Sequence, residues 1–385
     1  MARSDRPTPL EIDPADMPQP LPSVATVRSV GAIRRALPGW LRKLLITLLG
    51  LLIFILALQL LKRGAGVYGR QIKELLNISS TMNSLGFGWL LAYIFMSGSP
   101  VAAIAVSFFA AGTITNLQAF TMITGSRLGA SFIVLFVGFI YYLRGHQRSA
   151  SISIGVLALL TTASIYLPAL ALGYWLLTSG MLGVLQVSAT TPVGSFIDAI
   201  YGPILDLIAR WSLPGWAVFV CGIGSLLLAF TLLDRALPEI NAERSGFQRI
   251  GRLIYRPMAM FILGAAVTSV TLSVSVSLSI LVPLSAKGLV RRENTLPYIM
   301  GANITTFIDT LVAALITGGP AAFTIVLVEM VSVAILSLLV LFLFYRSFEH
   351  VILRLQELII RDNRTLGAFL CIMLIIPIVL LLVKS

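Results

Sequence analysis

Six long apolar blocks, residues 44–61, 119–143, 152–177, 216–233, 321–345 and 366–383, fix the solvent this chain folds in. The hydrocarbon core of a bilayer is ~30 Å thick, and ~20 consecutive apolar residues in a helix cross it. Each block reaches or approaches that length. Inside lipid every backbone N–H and C=O needs a partner within the protein, so such blocks must be helices. Composition agrees: 57% of the 385 residues are hydrophobic and 11% are charged, against roughly 25% charged in soluble domains. Too few charges remain to cover a water-facing surface, and the chain is expected to be an all-α integral membrane protein.

The net charge of +12 could suggest nucleic acid, but the basic residues sit in short loops beside apolar spans, which is the positive-inside pattern. Arg34, Arg35, Arg42 and Lys43 precede the first span. Arg144 and Arg148 follow a later one, and Arg235, Arg244, Arg249, Arg252 and Arg256 share one loop. Lys287, Arg291 and Arg292, then Arg346, Arg354, Arg361 and Arg364, complete the set. All can be cytoplasmic at once if residues 83–112 and 264–288 are re-entrant hairpins that enter and leave on one side. Asp198 and Asp206 then fall outside, as do Lys62, Arg63, Arg70 and Lys73, which run against the rule. Residues 1–38 carry seven prolines and no signal-peptide core, so a disordered cytoplasmic tail is expected there. The location implied is the cell membrane, multi-pass, with the amino terminus inside. Cys221 and Cys371 lie within apolar segments as packing residues, and no disulfide or metal framework follows.

The chain also resembles itself. At an offset of 176 residues Gly88 aligns with Gly264, Ser97 with Ser273, Ser99 with Ser275, Gly112 with Gly288 and Gly125 with Gly301. Ile104, Val106, Ala110 and Ile123 match Ile280, Val282, Ala286 and Ile299, giving nine identities in 44 positions. Glycine and serine carry the weight, because they mark breaks and not bulk lipid-facing surface. Each half reads as helix, hairpin, helix, helix, with three full crossings. An odd number of crossings inverts the second copy, the inverted-repeat plan of secondary transporters, whose ligands bind where hairpins and broken helices meet. The expected domains are the tail at 1–38, a transmembrane repeat at 39–180 and an extracytoplasmic connector at 181–212. A second repeat at 213–346 follows, then an amphipathic segment with a final extra helix at 347–385.

The first hairpin should turn at residues 96–100 (MSGSP), the second at 271–277 (TLSVSVS), with Gly88 and Gly264 beginning the hairpins. Ser97, Ser99, Ser273 and Ser275 at these turns are candidate substrate ligands. Equally, they can bond to their own helices or permit tight packing. Half-helix amino termini suit an anion, whereas hydroxyls and carbonyls suit a hard cation such as sodium. A second pair of motifs, GSRLGAS at 125–131 and GANITT at 301–306, reads as a pair of helix breaks inside apolar spans. They add Asn303 as a substrate ligand and Ser126, Ser131, Thr305 and Thr306 as candidates for ion coupling.

Residues 301–314, GANITTFIDTLVAA, resemble the glycine-alanine-asparagine-isoleucine-glycine-threonine-threonine signature of the sodium/phosphate cotransporter family. The serine clusters fall where that family carries glutamine-serine-serine-serine motifs, one per inverted repeat. The resemblance implies a fold with two re-entrant hairpins and symport of inorganic phosphate with sodium. Met96 and Leu272 stand at the family's glutamine positions, Gly98 and Val274 at its middle serines, and Arg127 at its first asparagine. Gly129 keeps a family glycine that Thr305 replaces.

Three charges lie inside spans, Arg127, Asp309 and Glu329. An intramembrane charge costs several kcal/mol unless it is paired or faces water, so each is a functional candidate. Arg127 can hold an oxyanion bidentately or form a structural pair with Asp309. Glu329 either faces a helix interface or carries a coupling proton. The leading expectation is a secondary transporter of a small anion, most simply ion-coupled symport of phosphate with sodium or protons. A membrane scaffold or sensor that keeps the transporter fold is the alternative. No enzyme is expected: His146 and His350 lie in loops, away from any intramembrane serine. No cofactor beyond a coupling sodium ion is called for. The partners are the anion and the lipid bilayer, and a homodimer stays open.

Overall fold

The computed structural model describes residues 38–75, 78–143, 148–180, 190–210, 213–236, 256–279, 281 and 290–383. The expected tail, the basic loops around 144–147 and 237–255, and most of the return arm of the second hairpin lie outside these. Two units divide the chain, Met1–Arg42 and Lys43–Ser385. Of the first, residues 38–42 are described and open the first helix. Everything below concerns the second.

Among the described residues every regular element is a helix. In chain order they are α1 (Gly39–Leu75), α2 (Thr81–Phe95), α3 (Ser99–Ala110), α4 (Asn116–Leu143), α5 (Arg148–Ser179), α6 (Thr190–Arg210) and α7 (Gly215–Ala236). There follow α8 (Pro257–Thr271), α9 (Val274–Ser279), α10 (Arg292–Thr305), α11 (Phe307–Thr317) and α12 (Gly319–Leu339). A π-helical turn, Val340–Phe344, leads into α13 (Tyr345–Arg361), and α14 (Asn363–Leu382) ends the fold. Seven segments of the described chain are long and apolar enough to cross a membrane, as a multi-pass membrane protein requires. The 181–212 connector is helical over most of its length as α6.

At both expected hairpin turns the helix is interrupted, between Phe95 and Ser99 and between Thr271 and Val274. α2 and α3 have 15 and 12 residues and α8 has 15, each short of the ~20 needed to cross a bilayer. α2 is capped by Met96 at φ 50°, and α8 by Leu272 at φ 51°. These are the two non-glycine residues with positive φ among those described, and they stand 176 positions apart. An L-residue pays roughly 1–2 kcal/mol for that conformation, so the turn is held by the packing around it.

The glycines explain that packing. A β-carbon at Gly88 would overlap Met122 O and one at Gly125 would overlap Leu85 O, so α2 and α4 cross with backbones in contact. The same pair of contacts recurs 176 residues later, Gly264 against Tyr298 O and Gly301 against Phe261 O, between α8 and α10. Gly88 and Gly264 therefore do not begin the hairpins: α2 starts at Thr81 and α8 at Pro257, and the glycines sit mid-helix at the crossings. Nor does 125–131 break its helix. α4 runs unbroken from Asn116 to Leu143, because Gly125 and Gly129 serve close approach to α2. The equivalent stretch in the second half does break, with α10 ending at Thr305 and α11 starting at Phe307.

Prolines inside helices free the carbonyl four residues earlier, and in lipid that group needs a new donor. Pro377 in α14 frees Met373 O, which Tyr93 Oη reaches at 3.0 Å while itself accepting from Trp89 Nε1 at 2.7 Å. Pro297 in α10 frees Glu293 O, reached by Tyr345 Oη at 3.0 Å. The end of α14 is tied down by Asn83 near the start of α2. Its Nδ2 faces Leu380 O, Leu381 O and Val383 O at 3.2, 2.8 and 2.8 Å, while its Oδ1 accepts from Ser80 N in a capping box.

Candidate functional site

The turn of the first hairpin reaches α4 through Gly98, whose missing side chain admits Ser126 O. That contact delivers Ser97, Gly98 and Ser99 to the α4 residue that follows, Arg127. From the second half the α8–α9 turn brings Ser273 and Val274, the α10 end brings Asn303 and Thr306, and α5 contributes Tyr166. Together with Ala130 these groups line one narrow cavity. Four of the six expected substrate ligands, Ser97, Ser99, Ser273 and Asn303, thus meet there with Arg127. Ser275 lies in α9, and its side chain is outside the described residues.

Arg127 is the centre. It is 4% exposed, and its guanidinium leaves its own half to engage α10 and α11. Nη1 donates to Thr306 Oγ1 at 3.1 Å and approaches Ser99 Oγ at 3.5 Å, and Nη2 donates to Thr310 Oγ1. Asp309 Oδ1 lies 3.6 Å from Nη2 and accepts from Thr310 Oγ1 at 2.9 Å. The guanidinium also packs over the Phe307 ring, 4.8 Å from its centroid, which favours a cation in a dry site. Two atoms of this ion pair remain without a hydrogen bond although buried: Arg127 Nε and Asp309 Oδ2.

Around it the polar groups hold one another in place. Asn303 Nδ2 donates to Thr162 Oγ1 at 3.1 Å, and Tyr166 Oη donates to Asn303 O at 3.0 Å. Ser273 Oγ accepts from Val276 N at 3.3 Å and so opens α9. Thr268 Oγ1, Ser277 Oγ and Tyr298 Oη form a buried chain at 2.8 and 2.9 Å beneath the second turn.

The residues expected to serve ion coupling divide. Thr306 lines the cavity. Ser126, Ser131 and Thr305 direct their hydroxyls to the carbonyls of Ile123, Leu128 and Ala265, at 2.7, 2.7 and 2.9 Å, and are not brought to it. Asp309 pairs with Arg127, its Oδ1 3.6 Å from Nη2, and is not among the residues lining the cavity. Glu329, on α12, is 2% exposed, and neither carboxylate oxygen makes a hydrogen bond of good geometry. Its electrostatic neighbours are Thr124, whose hydroxyl donates to Phe120 O at 3.1 Å, and Arg127. Tyr166 was not singled out from the sequence. Its signal was a phenol deep inside an apolar span that also holds Tyr174, a residue type that elsewhere marks only a membrane-interface anchor.

Comparison of the chain with protein-family models, with curated proteins and with solved structures finds no match.

Proposed function

We propose that the chain is a secondary transporter of a small oxyanion, most simply inorganic phosphate moved by ion-coupled symport, built as two inverted repeats. One observation carries this reading: two helix-breaking turns 176 residues apart in sequence line a single narrow cavity with a buried arginine. Elements from both halves at one site are what alternating access needs, since tilting one half against the other opens the site to either side. The chemistry favours an anion. A guanidinium offers a planar fork that matches two oxygens at once, and the amino end of the 12-residue α3, at Gly98–Ser99, faces the same cavity. The resemblance of residues 301–314 to the sodium/phosphate cotransporters supports phosphate and a sodium-coupled ancestry. The buried carboxylates Asp309 and Glu329 supply groups on which a coupling cation or proton can act.

A second reading has an observation of its own. Met96 and Leu272 occupy the turns where the family carries glutamine, and Arg127 already has an internal counter-ion in Asp309. A scaffold or sensor with the transporter fold would look like this. Binding of radiolabelled phosphate to the purified full chain separates the two. Transport predicts saturable binding that Arg127→Lys weakens ~10-fold or more and Arg127→Ala weakens further, the loss of one or two charge-assisted bonds. Absence of binding, or binding that neither substitution changes, contradicts it.

A further inference from the structure

Resting on the anion-transport reading, we infer that Asp309 is the specificity determinant of the site, selecting oxyanions that carry a proton of their own. The inference starts from the incomplete ion pair. An arginine and a carboxylate placed only for structure commonly meet bidentately, with two short parallel bonds. Here Asp309 Oδ1 stays 3.6 Å from Arg127 Nη2 with Thr310 bonded to each. The remaining donor, Arg127 Nε, and the remaining acceptor, Asp309 Oδ2, are both buried and both lack a partner. The arginine lines the cavity, and the aspartate lies against the same guanidinium.

Orphans of opposite character on one pair define the ligand that would satisfy them. It must present an acceptor to Nε and a donor to Oδ2. Hydrogenphosphate and hydrogenarsenate do both, because each keeps an O–H at neutral pH beside its charged oxygens. Sulfate presents acceptors only, so it leaves Oδ2 unpaired and sets a second negative charge against the carboxylate. A site that hydrogen-bonds a ligand group rejects an analogue lacking it far more strongly than an apolar pocket rejects a size change. Glu329, buried on α12 with both carboxyl oxygens unpartnered, is the second carboxyl group that interacts electrostatically with Arg127.

The test is displacement of radiolabelled phosphate from the full-length protein by unlabelled phosphate, arsenate and sulfate, in wild type and in Asp309→Asn. The asparagine keeps the acceptor for Thr310 but turns the second position into a donor. In wild type, arsenate should displace like phosphate and sulfate ~100-fold more weakly or worse. In Asp309→Asn the phosphate-to-sulfate gap should shrink at least ~10-fold, mainly through a gain by sulfate. Sulfate that competes as well as phosphate in wild type overturns the inference, whether or not the variant folds. An unchanged ratio in a folded Asp309→Asn protein does the same. If none of the three anions binds wild type, the transport reading itself has failed.

Discussion

Arg127 extends from α4 into the partner half and collects Thr306, Phe307, Asp309 and Thr310 around one guanidinium. Buried charges of this kind are unforgiving: removing one member of a pair leaves the other desolvated, at a cost of ~3–5 kcal/mol, whereas removing both is often neutral. Arg127→Ala should therefore lower thermal stability in detergent markedly, and Arg127→Ala with Asp309→Ala should restore much of it. If phosphate binding returned in that double variant too, Arg127 would be only a structural partner of Asp309. The three charges were visible in the sequence because each interrupts an apolar span. Their arrangement was not. Arg127 and Asp309 are 182 positions apart, and nothing local announces that Thr310 would stand between them. Ser126 and Ser131, flanking Arg127, look as eligible as Ser99 in a string of letters. Only the helix phase shows that their hydroxyls turn back to the carbonyls of their own turn.

Helices in this protein are often repaired by distant side chains. Tyr93 on α2 supplies the hydrogen bond that Pro377 removes from α14, a pairing with Met373 O across 280 residues. Leaving a buried carbonyl unpaired costs roughly 1–3 kcal/mol. Tyr93→Phe should destabilise the wild type by about that amount and cost clearly less in a Pro377→Ala background, where the helix supplies its own N–H. A double-mutant cycle on thermal unfolding measures the difference, and two additive substitutions would remove the tyrosine from this role. Pro377 announced a defect in the sequence, but its remedy lies in another element and carries no mark there. Gly125 and Gly129 show the opposite limit. A glycine pair inside an apolar span signals a helix break or a close helix crossing with equal force. Contact of α4 with Leu85 O and Trp89 O decides for the crossing.

At the scale of the whole molecule, the two halves share more in backbone than in letters. Nine identities in 44 positions hinted at a repeat. Yet the left-handed residues that end α2 and α8 are Met96 and Leu272, a matched pair of conformations that identity counting passes over. The matched overlaps at Gly88 and Gly264, and at Gly125 and Gly301, add the same register in packing. Hydropathy made six of the seven spans legible because lipid imposes length and composition on a crossing helix, whereas Arg292–Thr317 lies outside the six apolar blocks. The convergence of the two turns was legible only through the repeat, since each turn alone is a short run of serines and glycines. If the halves tilt about the shared cavity, the protein moves an anion across a membrane. Uptake of radiolabelled phosphate into proteoliposomes, with sodium and proton gradients imposed one at a time, measures that movement. We expect accumulation driven by at least one gradient, with protons contributing and sodium weaker than in sodium-coupled carriers, and loss of accumulation in Arg127→Ala. Phosphate that equilibrates no faster than in empty vesicles under either gradient would contradict the account.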